Sequence, residues 1–267
     1  ARSKDVVFIP GVGATPGITN AMAKQAANRM DEVDDIQINF AAFRSPAPAP
    51  GLLITFLWEF HPKTESRLYY ENGEFIWAGP FEGLKMIKFP EPIGEQQVCY
   101  IPHPETRTMP KSLGAKKVSV RGCFPPHAMK IGRMMLDWGL YSDEKVNIRG
   151  IEASPFDIMF DLLLAVPETK ETPVWAYGLV VDVFGKVDGK PVKDRLWSKH
   201  PPQEEWGGSA AYYKNIAIPL SIGASMITDG EVSARGVVPP ESAYDPGRFF
   251  EELAKRGIEV IEEFEEL

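Results

Sequence analysis

Short apolar runs bounded by glycine and proline alternate along this chain with longer stretches whose apolar residues recur at helical spacing. Val6-Val7-Phe8-Ile9, stopped by Pro10-Gly11, is brief and rich in β-branched residues, which predicts a buried strand. Beyond the turn Thr15 is placed to cap and Pro16 to take the first helical position. Ala21, Ala23, Ala26, Ala27 and Met30 supply a small apolar face, so a helix from about Pro16 to Met30 is expected. Ile36-Gln37-Ile38-Asn39-Phe40 alternates apolar with polar, the mark of a half-buried strand, and Leu52 to Phe60 is a second extended candidate. Arg67 to Tyr70 and Phe75 to Trp77, joined by Glu71-Asn72-Gly73-Glu74, carry the Asn-Gly signal of a tight hairpin.

Further along, Pro125-Pro126 opens a helix lined by Met129, Met134 or Met135 and Trp138, and Gly139 stops it. Ser154-Pro155-Phe156-Asp157 opens another, with serine as cap and Asp157 near the positive end of the dipole. Between Trp175 and Trp197 valine-rich alternation turns at Asp188-Gly189, predicting a long hairpin. Ile216 to Thr228 reads as a buried helix ending at Gly230. Asp245-Pro246 begins a last helix reaching Arg256, and Ile258-Glu259-Val260-Ile261 closes the chain as a strand. Strands fall in neighbouring runs with helices between groups. The expected fold is therefore α+β, with a largely antiparallel or mixed sheet covered by helices.

Composition narrows the function classes. Across 267 residues, 29 Lys and Arg face 37 Asp and Glu, a formal charge of −8, which argues against binding a phosphate backbone. No run approaches the roughly 18 apolar residues of a membrane span, and the first residues lack a signal-peptide layout. The chain reads as soluble and cytoplasmic. Cys99 and Cys123 lack CxxC spacing, so neither a disulfide scaffold nor a structural zinc site is expected. His61, His103, His127 and His200 are scattered, with no pair at i, i+4 and no metal site indicated. The seven glutamates after Phe249, set against Lys255 and Arg256, read as a solvated face and tail.

Gly11-Val12-Gly13-Ala14-Thr15-Pro16-Gly17 sits between a strand and a helix, where a dinucleotide fingerprint belongs. The third glycine of that fingerprint is displaced by Pro16, and the next strand ends in Arg44 rather than in an acid for a ribose. A complete nucleotide-binding domain is excluded. The loop is either a tight turn feeding a helix or a contact for an anionic or amide-bearing ligand brought from elsewhere. Arg107, Arg121 and Lys214, each near glycine, proline or a strand end, are candidates to hold a carboxylate, since a guanidinium grips one at two points. No G-x-S-x-G elbow is present and nothing signals a Ser-His-Asp triad, and Cys123 reads as a small buried residue.

Four segments in order resemble one family: residues 13–23, Gly13-Ala14-Thr15-Pro16-Gly17-Ile18-Thr19-Asn20-Ala21-Met22-Ala23; residues 218–227, Ile218-Pro219-Leu220-Ser221-Ile222-Gly223-Ala224-Ser225-Met226-Ile227; Gly236-Val237-Val238-Pro239-Pro240-Glu241; and Phe249 through Ile258. They resemble the saccharopine dehydrogenase-like oxidoreductases, which include lysine and carboxynorspermidine dehydrogenases. Thr15 stands where many members carry an acid or other polar residue, and Asn215-Ile216-Ala217 where many have Thr-Thr-Gly.

The resemblance implies the C-terminal domain of such an enzyme, its N-terminal Rossmann domain not included. Residues 1–30 would be the last strand and helix of the nucleotide-binding region, and residues 31–267 the substrate and dimerisation domain. It implies NAD or NADP held mainly by the other domain, an amino-acid-like substrate, a homodimer, and hydride transfer at a CH–NH or CH–NH2 group. Thr15, Pro16, Gly17 and Asn20 are then the cofactor-side positions. Arg121, then Arg107, would hold the substrate carboxylate, and Lys214 or Tyr213 would carry the proton. The chain alone is expected to fold without turning over. The alternative is a binding or dimerisation module that kept this fold and lost the chemistry.

Overall fold

A computed structural model describes residues 5–45, 47, 49–166 and 176–267. The chain begins with β1 (Val7–Phe8), α1 (Ile18–Ala27), β2 (Glu32–Phe43), α2 (Pro50–Phe60), β3 (Leu68–Glu71) and β4 (Glu74–Trp77). It continues through β5 (Lys85–Lys88), β6 (Glu95–Tyr100), α3 (Glu105–Ser112), β7 (Lys117–Cys123), α4 (Pro126–Asp137), β8 (Val146–Ile148), β9 (Ile151–Ala153) and α5 (Pro155–Ala165). It ends with β10 (Ala176–Val187), β11 (Lys190–Lys199), α6 (Ala211–Thr228), β12 (Gly236–Val237), α7 (Pro240–Ala243), α8 (Pro246–Ala254) and β13 (Glu259–Glu266).

The main sheet runs β13-β11-β10-β2-β7-β3-β4, with β6 also on β7 and β5 on β6. β2 and β7 are parallel, Ile38 opposite Val120, while the neighbouring ladders of β10 with β2 and β11 are antiparallel. The fold is thus α+β with a mixed sheet. Side chains alternate between the faces of a strand, which divides the core in two. Ile36, Ile38, Phe40, Val118, Val120 and Val181 face the helices, in one cluster with Ile18 and Met22 of α1, Phe56 of α2 and Ile222 of α6. Ala41, Cys123 and Val180 face the other way, into a smaller cluster with Ile87, Phe89 and Ile93.

Most expected elements appear where the residue patterns place them. Asn72 and Gly73 both take positive φ in the β3–β4 turn, and Ser154 Oγ accepts from the Asp157 N–H at the start of α5. Trp175, the expected start of the long hairpin, lies outside the described residues.

Four expectations are corrected. The stretch from Leu52 to Phe60 is helical: Leu53, Phe56, Leu57 and Phe60 recur at i, i+3, i+4, i+7 and are fully buried, and Pro50 suits the first turn. Val6 and Phe8 are 51% and 59% exposed, because β1 pairs in parallel with β12 alone, away from the main sheet. Trp138 is 80% exposed just beyond α4, whose inward side is Ala128, Gly132 and Met135. Thr15 and Pro16 belong to a loop, and α1 begins at Ile18 with Gly17 as its N-cap. The helix α3, in which Pro110 interrupts a polar stretch, and the strand β7 were not expected.

Candidate functional site

The loop from Gly11 to Gly17 closes on itself. The Gly13 N–H donates to the Pro16 carbonyl at 2.8 Å and the Ile18 N–H to the Gly13 carbonyl at 2.9 Å. Gly17 adopts φ 132°, and a Cβ there would collide with the Gly13 carbonyl, so only glycine fits. Helix α6 buttresses the loop from behind. A Cβ on Gly223 would stand 2.9 Å from Val12 Cγ1 and 2.6 Å from Tyr244 Oη, so glycine lets the helix come this near.

The N–H groups that start α1 are already engaged. Gly17 donates to Asn20 Oδ1 at 2.7 Å, Ile18 to the Gly13 carbonyl and Thr19 to the Ala14 carbonyl. These three amides offer no cradle for a phosphate. Asn20 is buried and donates through Nδ2 to Glu241 Oε2 at 2.7 Å; Ser112 Oγ donates to Glu241 Oε1 at the same distance. Gly17 and Asn20 thus hold the loop in place, Pro16 presents its ring outward to a cavity, and Thr15 reaches Glu105.

That cavity, about 360 Å³, is walled by residues 11–16, by Phe40 and Arg44 from β2 and its exit, by Glu59 of α2, by His103, and by Tyr177 and Tyr212. It shares Pro16, Thr55, Glu59 and His103 with a wider open groove of about 720 Å³ that passes Trp58 and Lys63.

Three charged groups line the inner cavity. Arg44 is 2% exposed. Its guanidinium carbon lies 5.4 Å from the Phe124 ring centroid and 5.3 Å from that of Tyr212, and Nη1 donates to the Ser45 carbonyl at 2.8 Å. Nε finds no partner within the described residues. An unmet buried donor costs about 1–3 kcal/mol or more when charged, and the rest of the Arg44 head is held by Ser45, by a hydrogen bond with Tyr212 and by the field of Glu59.

Glu59 is seated by Arg67, a fully buried side chain that donates to the Glu59 carbonyl at 3.2 and 2.9 Å, to His61 at 2.9 Å and to Ala78 at 3.1 Å. Arg67 thereby satisfies carbonyls at the end of α2. Glu59 Oε2 has no hydrogen-bond partner, and burial pushes its carboxyl up to about 7 against the pull of His103, Arg44 and Arg67.

For His103, burial disfavours the charged ring, but the Glu105 carboxylate 3.3 Å away, with Glu59 behind it, outweighs burial and raises its pKa. Glu105 is fully buried, which opposes ionisation. The nearby His103 and the Thr15 hydroxyl outweigh that penalty and hold it below the usual carboxylate range. As the first residue of α3, Glu105 also faces the positive end of the helix dipole. Among the described residues no group of three or more His, Cys, Asp or Glu is arranged to hold a metal ion, and no helix is long and apolar enough to cross a membrane.

The family model of the saccharopine dehydrogenase C-terminal domain matches residues 13–258, from the glycine loop into the last strand's approach. The chain belongs to that family. A carboxynorspermidine synthase from Vibrio alginolyticus is 24% identical over 269 residues, covering 95% of this chain. The chain spans 62% of that relative's length. The structure of apo saccharopine dehydrogenase (L-Glu forming) from Saccharomyces cerevisiae superposes with a TM-score of 0.66 at 12% identity, covering 95% of this chain and 73% of that one. The relatives are oxidoreductase-type enzymes, and the shared architecture is that of the saccharopine dehydrogenase C-terminal domain.

Within this family fold the other sequence-derived candidates are dispersed. Arg121 pairs across β2 with Asn39, one residue out of register with Phe40, and so projects from the opposite face of the sheet from the cavity. There it donates to the Gly83 carbonyl, Ser119 Oγ and Tyr100 Oη at 2.8–2.9 Å and stacks over Tyr100. Arg107 is exposed on α3 with its guanidinium over Phe75. Lys214 lies over the Trp206 ring and Tyr213 is 42% exposed, while their helix neighbours Tyr212 and Ile216 are the ones that line the cavity.

Sequence reasoning missed Arg44, Glu59, His103 and Glu105. In the sequence Arg44 stands only as the wrong residue for a ribose, and Glu59 lies in a stretch whose apolar run predicts a strand. The Pro102-His103-Pro104-Glu105 run, a histidine two residues from a carboxylate, was the one local signal available.

Proposed function

We propose that this chain is the substrate-holding part of an NAD(P)-dependent oxidoreductase that transfers a hydride at a C–N bond of an amino-acid-like substrate. The observation that carries the reading is the cavity beside Pro16, where a buried arginine with an unmet Nε faces the same space as Glu59 and His103. Arg44 takes the substrate carboxylate through its unmet Nε. Glu59, neutral or ionised near pH 7, faces the substrate nitrogen, and His103 carries the proton released or taken up when the amine and imine interconvert. The geometry favours His103 over Lys214 and Tyr213 for this task because His103 lines both cavities.

Pro16, with Ala14 and Thr15, forms the uncharged wall that suits the nicotinamide end of a dinucleotide. The engaged amides of α1 leave the phosphates to residues elsewhere. When bound, the nicotinamide accepts or supplies the hydride at C4. Phe40, Phe124, Tyr177 and Tyr212 keep the inner cavity largely apolar, which strengthens the pull of Arg44 on a carboxylate.

The test is titration of the complete protein with NADH and NADPH, followed by a screen of amino acids and polyamine carboxylates for hydride transfer. Arg44→Met is expected to raise KM for a carboxylate substrate about a hundredfold, in line with loss of a charge-assisted pair worth about 1.5–3 kcal/mol. Absence of any nicotinamide-dependent turnover by the complete protein refutes the enzyme reading and leaves the binding module. Turnover by these 267 residues alone refutes the division of labour between two domains.

A further inference from the structure

Glu105 is a fully buried carboxylate that lines neither the inner cavity nor the open groove, yet three side chains converge on it. Thr15 Oγ1 donates to its Oε1 at 2.6 Å and Thr19 Oγ1 to the same oxygen at 3.0 Å. Its other oxygen, Oε2, makes no hydrogen bond and lies at ion-pair distance, 3.3 Å, from His103 Nδ1. A purely structural plug at this position needs no charge, because buried ionised groups are commonly replaced by apolar ones without loss of stability.

We infer that Glu105 is the positioning residue of the site: clamped by Thr15 and Thr19, it holds His103 through Nδ1, so that Nε2 is the nitrogen presented to the cavity. The inference rests on the reading of His103 as proton carrier. The surroundings of the ring agree with it. Thr15 Oγ1 stands 3.4 Å from the same Nδ1, Phe40 packs on the imidazole with centroids 5.0 Å apart, and Glu59 of α2 and Arg44 beyond β2 share the cavity it lines. Nothing among these competes with Glu105 for Nδ1 except the Thr15 hydroxyl, which already donates to Glu105. With Nδ1 engaged, a proton given to or taken from a ligand moves through Nε2, and the imidazolium that results is paired with the carboxylate behind it. Thr15, the residue before the cofactor-side proline, therefore acts on the proton carrier as well.

The experiment is nitrogen NMR of the His103 ring in the purified protein, unaltered and as Glu105→Gln. In the unaltered protein, above the midpoint of the ring titration, the neutral imidazole is expected to keep its proton on Nδ1. The Nε2–H form usual for free histidine overturns the inference, whatever the variant does. In Glu105→Gln the midpoint is expected to fall by about one pH unit or more, since removal of a carboxylate at contact distance leaves burial opposed only by Glu59. The corresponding limb of the kcat/KM profile shifts with it, and Glu105→Asp restores part of the shift. A folded Gln variant with an unmoved midpoint overturns the inference. Should the Gln variant not fold, the tautomer in the unaltered protein decides. If the ring behaves as described and no hydride transfer is found, the functional reading fails by itself. If turnover is found and its pH profile ignores Glu105, the positioning role fails by itself.

Discussion

Glu59 makes the sharpest demand on the fold, and replacing it with glutamine tests that demand. Its carboxyl ionises near 7 in the folded chain against an ordinary value of 4.5, with burial as the first cause. A raised acid binds its proton more tightly in the fold than in the unfolded chain. Its contribution is therefore fully favourable below pH 4.5 and is lost as pH rises through 7. A difference of about 2.5 pH units, at about 1.4 kcal/mol each, makes ionised Glu59 about 3 kcal/mol unfavourable at pH 8. Glu59→Gln keeps the shape and removes the titration. Urea unfolding of both proteins at pH 5, 6, 7 and 8 is expected to give similar stabilities at pH 5 and a variant more stable by about 2–3 kcal/mol at pH 8. For a chain of this size that is a melting-temperature gain of several degrees, on the order of 2–4 °C per kcal/mol. A stability difference that stays constant across this range refutes the reasoning, because the penalty would then not come from ionising a buried carboxyl. The same substitution is expected to lower kcat/KM by about ten- to a hundredfold, the size of one lost contact between the carboxylate and the substrate nitrogen.

Further outcomes follow from other parts of the structure. Asp194 is fully buried beside Glu262, and burial together with that carboxylate pushes its carboxyl up against the pull of Arg29. Asp194→Asn should therefore stabilise the fold at pH 8 and leave it unchanged at pH 4, read by the same denaturation series. Arg67→Met removes four hydrogen bonds to α2 and its surroundings and is expected to cost about 3–5 kcal/mol, with Glu59 displaced; circular dichroism melts measure it. Gly17→Ala places a Cβ against the Gly13 carbonyl at φ 132° and should abolish ligand binding or folding, whereas Gly51→Ala, with open space around it, should be neutral. Cys99 and Cys123, their thiols pushed up to about 12 by burial, should resist maleimide labelling until the protein is denatured.

The parts of the fold legible in sequence share a physical trait: their signal is local. Asn72-Gly73 and Asp188-Gly189 specify hairpins because few residues tolerate positive φ, and Ser154 and Asp245 specify helix starts because their side chains accept from N–H groups three residues on. The stretch from Leu52 to Phe60 invites a strand reading because nearly every position is apolar, which masks the i, i+3, i+4, i+7 recurrence of Leu53, Phe56, Leu57 and Phe60. Its helical state comes from burial of Phe56 and Phe60 among Phe81 and Phe124 and from Arg67, eight residues away, satisfying its end. The arginine candidates show the same divide. Arg121 and Arg44 look alike as strand-end arginines in a sequence, yet one register step sends Arg121 to the face opposite the cavity, while Arg44, past the end of β2, turns back between Phe124 and Tyr212.

By itself the sequence determined the α+β class, the family, a glycine-bearing loop between a strand and a helix, and an acidic balance that disfavours nucleic acid. Those properties depend on composition, on ordered motifs and on residues acting within a few positions of themselves. Only the tertiary structure decided which charges meet. Glu59, His103 and Glu105 come from α2, from the loop before α3 and from its first turn, and Arg44 from the end of β2. Their protonation states arise from burial and mutual field, which exist only once the sheet has closed against its helices.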